Sequence, residues 1–198
     1  MSRYLVTAVA ASAVLLACAD RAPDPTEPLR VAVLSDAAAR SDNANGGNFG
    51  TSLSPDEEVP PNASQAVGNA IFHLSDDGME LSYKLIVANI HNVHQAHIHA
   101  APAGSNGPIV VWLFPDTDPE VGPLGAGRQQ GVIAEGTITA ANFVNTLAGQ
   151  PMSALVALLK NGGAYVNAHT SDGLPGASNG PGDIGGGEIR GQVEHRGH

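Results

Sequence analysis

The sequence predicts an all-β fold, an antiparallel β-sandwich or Greek-key barrel with one or two short helices. Three observations carry this. At least seven segments alternate apolar and polar residues with a period of two, as half-buried strands do. Most are bounded by Gly, Pro, Asn or Asp, residues that turn a chain back on itself. Only two windows carry helical punctuation.

The chain opens "MSRYLVTAVAASAVLLACAD", with Arg3, an apolar run from Tyr4 to Ala17, and then Cys18, the single cysteine. The run is short for a bilayer span and has the charged start and small-residue end of an export signal, so residues 1–17 are expected to be a signal peptide. "LLAC" resembles the lipobox of bacterial lipoproteins, which implies cleavage before Cys18 and acylation of that residue. Several acyl chains on one residue hold a protein stably to a membrane, where one chain binds marginally. Residues 18–47 are rich in Ala, Asp, Pro, Arg and Ser and read as a lipidated N-terminus and tether, with "RVAVL" (Arg30 to Leu34) the one part suited to pair with a sheet. Residues 48–194 have the length of one domain with a real core, and residues 195–198 form a tail. With no second cysteine the domain has no disulfide. A formal net charge of -10 argues against a nucleic-acid partner, which calls for basic patches.

Within the domain, "VGNAIFHL" (Val67 to Leu74) and "MELSYKLIVANI" (Met79 to Ile90) flank the turn signal "SDDG" and read as a hairpin. "QAHIHA", "GPIVVWLF" and "GVIAEGTI" read as further strands, as do "GAYVNAHT" and "GEIRGQVE". "TAANFVNTL" (Thr139 to Leu147) and "PMSALVALLKNGG" (Pro151 to Gly163) are the helical windows; the second has Pro at its start and glycines at its end. Ser171 to Gly187 is glycine-rich and reads as a mobile loop.

Residues two apart on a strand share a face. His97 and His99 therefore oppose Ala96, Ile98 and Ala100, and Tyr165, Asn167 and His169 oppose Ala164, Val166 and Ala168. In the same way Glu188, Arg190 and Gln192 oppose Ile189, Gly191 and Val193. Two histidines at i and i+2 have Cα atoms about 6 to 7 Å apart, a span that one ion bridges with bonds of about 2.0 to 2.1 Å. His169 is the candidate third ligand, and the ring nitrogens are then expected about 3 to 4 Å apart. An ordinary polar strand face is the competing reading. His91 and His94 fall in a loop between two strands and are accessory candidates only. His73 reads as a surface residue, and His195 and His198 belong to the tail. No G-x-S-x-G elbow, H-E-x-x-H helix or phosphate loop occurs.

Four blocks, "LSPDEEVPP" (Leu53 to Pro61), "HIHAAPAGSNGPIVVWL" (His97 to Leu113), "GGAYVNAHT" (Gly162 to Thr170) and "GEIRGQV" (Gly187 to Val193), resemble in order those of the CHRD domain family, named for chordin. The resemblance covers Phe49 to Val193 and implies an exported β-sandwich module. The chain departs from the family pattern in "SPDEE", where a glycine-containing "SGAQE" is usual, and in the glycine-rich insertion before "GEIRGQ". A weaker likeness links the order His97, His99, His169, Arg190 to the copper site of Cu/Zn superoxide dismutases; no bridging histidine or zinc-ligand cluster is evident.

Two functional expectations follow. The first is a lipid-anchored protein of the bacterial cell envelope, on its periplasmic or extracellular face, in which His97, His99 and His169 bind one metal ion. Copper comes before zinc as that ion. An open fourth position would permit superoxide dismutase-like chemistry, with Arg190 drawing in the small anion. The alternative is a non-catalytic module binding another protein without metal, where Glu188 or Asp183 pairs Arg190 and the histidines bond to backbone carbonyls. The anchor has its own test: in detergent phase partitioning the wild-type protein should enter the detergent phase and Cys18→Ser the aqueous phase. Equal aqueous partitioning of both would rule it out.

Overall fold

The computed structural model describes residues 47–116, 122–176 and 179–196. The export segment, Cys18, the tether with its Arg30 to Leu34 stretch, and His198 lie outside the described residues. Nine strands are present among them: β1 Asn48–Leu53, β2 Val67–Leu74, β3 Leu81–His91, β4 Val93–Ala100, β5 Ile109–Phe114, β6 Arg128–Ile138, β7 Ala164–Thr170, β8 Ile189–Gln192 and β9 Glu194–Arg196. One α-helix, α1, covers Met152–Lys160. The strands form two antiparallel sheets, in the orders β6-β3-β2-β1-β9 and β5-β4-β7-β8. This is the expected all-β sandwich.

The hairpin is in place. Leu74 pairs with Leu81, and the Asp77 carboxylate accepts from the Ser75 hydroxyl (2.7 Å) and the Met79 amide (3.0 Å) to set the turn. Alternation then decides the core: Phe49 and Leu53, Ala70 and Phe72, and Leu85 and Val87 point inward from the first sheet. Ile98, Val111, Val166 and Ile189 meet them from the second. The α1 residues Met152, Leu155, Val156 and Leu159 bury one stripe at helical spacing. The helix ends as its glycines predict: Gly162 takes a left-handed backbone (φ 64) and the Gly163 amide donates to the Leu158 carbonyl (2.8 Å).

The chain changes sheet four times, twice at a corner of one residue. Asn92 alone separates β3 from β4; its backbone is left-handed (φ 57), a conformation that Asn tolerates. Its side chain pins the corner, accepting from the Gly127 amide (2.8 Å) and donating to the Gly182 carbonyl (2.9 Å). Val193 alone separates β8 from β9. Just beyond β1, Ser54 exchanges backbone hydrogen bonds with Arg190 (2.9 and 3.0 Å) and so ties the two sheets along one edge.

Several expectations are corrected. β1 and β9 have no counterpart among the predicted strands; β9 pairs with β1 over Asn48–Gly50, so His195 lies in a strand and not a tail. The window from Thr139 to Leu147 holds two 3-10 turns, Ala140–Asn142 and Asn145–Leu147. Asn142 Oδ1 accepts the Thr139 amide (2.8 Å), and the left-handed backbone of Asn145 (φ 51) stops a helix from propagating. β4 starts at Val93, which puts His94 in a strand and His91 at the end of β3, with no loop between them.

Gly191 sits where β8 crosses the backbone of β1, and a Cβ there would strike the Ser52 carbonyl and the Thr51 hydroxyl. Gly191→Ala should therefore lower unfolding free energy by about 1–3 kcal/mol in urea titrations. Gly186→Ala, whose Cβ meets open space, should stay within about 0.5 kcal/mol of wild type. Equal stability of the two variants would contradict this account of the closure.

Candidate metal centre

Ala96 and Ile98 point into the core, so His97 and His99 project from the opposite face of the second sheet. Register decides what they meet. His97 lies opposite Trp112 of β5 and Asn167 of β7, His99 lies opposite Tyr165, and His169 lies opposite Gln95. Asn167 pairs onward with Arg190 of β8. This face is withdrawn from water although it is not the core: His97 is 1% and His99 8% exposed, and Tyr165, Asn167 and Arg190 are buried. His169 is partly buried.

One ring nitrogen from each of His97, His99 and His169 lies within 4.8 Å of the other two. The three candidate ligands thus come together, somewhat wider than the expected spacing. Ligands that share one ion at about 2.0 to 2.1 Å sit no more than about 4 Å apart, so small ring rotations separate this arrangement from coordination. Two rings have their protons assigned by backbone carbonyls. His99 Nδ1 donates to Gly107 (2.8 Å) and His169 Nδ1 to Gly185 (2.9 Å), which leaves Nε2 of each as a lone pair. His169 Nε2 faces the Asn167 side-chain oxygen at 3.1 Å; a neutral imidazole has one N–H and satisfies only one of these two acceptors. Both nitrogens of His97 and Nε2 of His99 are buried with no hydrogen-bond partner. Leaving such a group unsatisfied costs about 1–3 kcal/mol.

The rings are neutral. Burial pushes the His97 imidazole down to about 2, and proximity to His169, His99 and His94 adds to it. Burial also brings His169 down to about 4, against the Gly185 bond that raises it. His99 is lowered by burial, opposed by Gly107, with the Arg190 guanidinium a further lowering influence.

Arg190 does not stand on a rim. It is 1% exposed, with its guanidinium carbon 3.4 Å from the centre of the Tyr165 ring. It donates to Asn106 Oδ1 (3.0 Å) and to the carbonyls of Ser105 (2.8 Å) and Pro102 (3.4 Å). Its donors hold the 102–106 loop, and an approaching anion finds them committed. Glu188 is not its partner either: that carboxylate accepts from the hydroxyls of Ser64 and Thr170 (both 2.6 Å) and the Gly182 amide (2.7 Å). Asp183 accepts from the Asn179 amide (3.1 Å). The carboxylate that feels Arg190 is Glu58, 4% exposed and pushed up to about 7 by burial, with Arg190 opposing. Gly187 makes room for it, since a Cβ there would strike Glu58 Oε1.

The accessory candidates separate. His91 is exposed at the end of β3. His94 enters through a register shift between Val93 and Gln95, has both ring nitrogens buried without partners, and influences His97 and His169 electrostatically. It is not among the converging three. Sequence reasoning missed two ring neighbours. Trp112 stands edge-on to His97 (4.3 Å, 88°), and Tyr165 stacks on His99 (4.8 Å, 7°). The alternation of "VWL" marks Trp112 as facing away from Val111 and Leu113. Nothing in the pattern marks which rings it meets. The described end of the glycine-rich stretch, read as a mobile loop, folds back through a Gly180–Asp183 bridge and supplies the Gly185 carbonyl.

The model of the CHRD domain family matches residues 49–178, a span that holds His97, His99 and His169 and stops short of Arg190. No curated protein matches the chain.

The depressed imidazoles set the sign of a pH dependence. Their folded values lie below 6.5, so their stabilisation is complete above that pH and is lost as pH falls toward 4. Glu58 acts oppositely: raised from 4.5 to about 7, it favours the fold at low pH and loses that contribution as pH rises through 7. With His94, also lowered by burial, four imidazoles outweigh one carboxylate. Urea titrations of the metal-free protein should show stability falling from pH 6 to pH 5. A flat profile would mean the rings are not buried as described.

Proposed function

Because the chain belongs to the CHRD domain family and brings three neutral imidazoles to one buried point, we propose that it is a metal-binding protein of the bacterial cell envelope that holds a single copper ion through His97, His99 and His169. The buried, unpartnered nitrogens of His97 and His99 carry this reading. Buried polar groups are ordinarily hydrogen-bonded, and these, unlike the equally unpartnered nitrogens of His94, converge with a third imidazole. The donor set fits: imidazole suits copper and zinc, and copper outranks zinc in intrinsic affinity. The apolar run before Cys18 and its lipobox-like end support a lipid anchor. Among the described residues no helix is long and apolar enough to cross a membrane.

Each neighbour has a task in this reading. Gly107 and Gly185 hold the Nδ1 protons of His99 and His169, so that Nε2 of each is the donor atom. Tyr165 keeps the plane of His99, and Arg190 keeps Tyr165 and the 102–106 loop in place. Bound copper would supply one-electron exchange. With Arg190 engaged by the loop, the function we assign is to hold the metal, and superoxide turnover draws no support from that residue.

The chain contains one tryptophan, and its ring touches His97. Anaerobic titration of the full-length, metal-stripped protein with Cu(I) should therefore quench tryptophan emission with a break at one equivalent. His97→Ala, His99→Ala and His169→Ala should each weaken binding by more than the roughly 10–100-fold that loss of an outer partner costs. His73→Ala, on the exposed side of β2, should not. Equal quenching in all four variants would overturn the assignment.

A further inference from the structure

We infer that the three-histidine site selects a monovalent, soft d10 cation, copper(I), over divalent copper and zinc; this rests on the metal-binding reading above. The donor set carries no charge. His97, His99 and His169 supply nitrogens only, and no carboxylate is among the converging atoms. Neither buried carboxylate of this region is among the converging atoms. Glu188 is saturated by Ser64, Thr170 and the Gly182 amide. Glu58, one of whose oxygens has no hydrogen-bond partner, lies against the Asn167 side chain and under the influence of the Arg190 charge. The nearest fixed charge in the stack is positive: the Arg190 guanidinium lies on one face of Tyr165, and His99 stacks on that ring.

An ion entering this site therefore brings its charge into a buried setting with no anion among its ligands to offset it. The Born cost of that transfer grows with the square of the charge, so a divalent ion meets about four times the penalty of a monovalent one. Geometry works in the same direction. Zinc held by three protein nitrogens needs a water to complete its tetrahedron and Cu(II) needs more to complete a tetragonal set, whereas a monovalent d10 ion is content with the three nitrogens that converge here among the described residues. Trp112 and Tyr165 wall two of the three rings, which limits the water available to complete a larger shell.

The test uses the full-length protein without metal, titrated anaerobically with Cu(I) against a chromogenic Cu(I) chelator, and separately with Ag(I), Cu(II) and Zn(II). Cu(I) and Ag(I) should bind at one equivalent, at least about 100-fold more tightly than Zn(II), and the copper complex should remain silent in electron paramagnetic resonance. Asn167→Asp introduces a carboxylate beside His169 with little change of shape, and its fold is checked by thermal melting. It should narrow the Cu(I)-to-Zn(II) ratio by at least about tenfold. Zn(II) or Cu(II) binding as tight as Cu(I) would overturn this inference and leave the metal site standing. An unchanged ratio in folded Asn167→Asp would overturn its electrostatic cause. Failure of every ion to bind would remove the site itself, and the inference with it.

Discussion

Burying the polar face of the second sheet obliges its donors and acceptors to find partners inside the protein. Two charged side chains at the start of β8 meet most of that demand. Arg190 draws in Pro102, Ser105 and Asn106, which shapes the loop ahead of β5 and places the Gly107 carbonyl against His99. Glu188 gathers Ser64, Thr170 and the Gly182 amide, which folds back the segment whose Gly185 carbonyl meets His169. Each charge thus fixes a loop, and each loop fixes the proton of one imidazole. The convergence of the three imidazoles is a by-product of how this face is covered.

Against that background His94, His97 and His99 hold most of the buried atoms left without a partner, with one oxygen each of Glu58 and Gln192. Arg190 and Glu188 make several hydrogen bonds each, while His97 makes none and His99 leaves one nitrogen bare. In a low-dielectric setting a complete network gives rigidity and an incomplete one carries a cost. Here the rigid part surrounds the incomplete part. Tyr165, held between Arg190 and His99, couples the two.

Much of this was legible in the sequence, and the limit is physical. Alternation sorts faces, so the convergence of His97, His99 and His169, the core identity of Ile98 and Val166, and the hairpin from β2 to β3 could be read directly. Alternation does not say whether a polar face is wet. Arg190 reads equally well as a rim residue or a buried one, and only the loop carbonyls decide between them. Strands β1 and β9 escaped because "NFGTSL" mixes glycine and small polar residues, and Glu194–Arg196 is three exposed residues held by pairing alone. The strand placement of His94, read as a loop residue, escaped because a register shift is invisible to a strict period of two.

The covering bonds are also long in sequence. Arg190 reaches Asn106 across 84 residues, Glu188 reaches Ser64 across 124, and β9 closes on the first described strand. Contacts of such separation form slowly, because much chain must be ordered before they are rewarded. A chain that has built only β4 displays a pair of histidines with free tautomers and no third partner. If the site holds an ion as proposed, its competence depends on those long-range contacts, and occupancy would report that the C-terminal strands have docked.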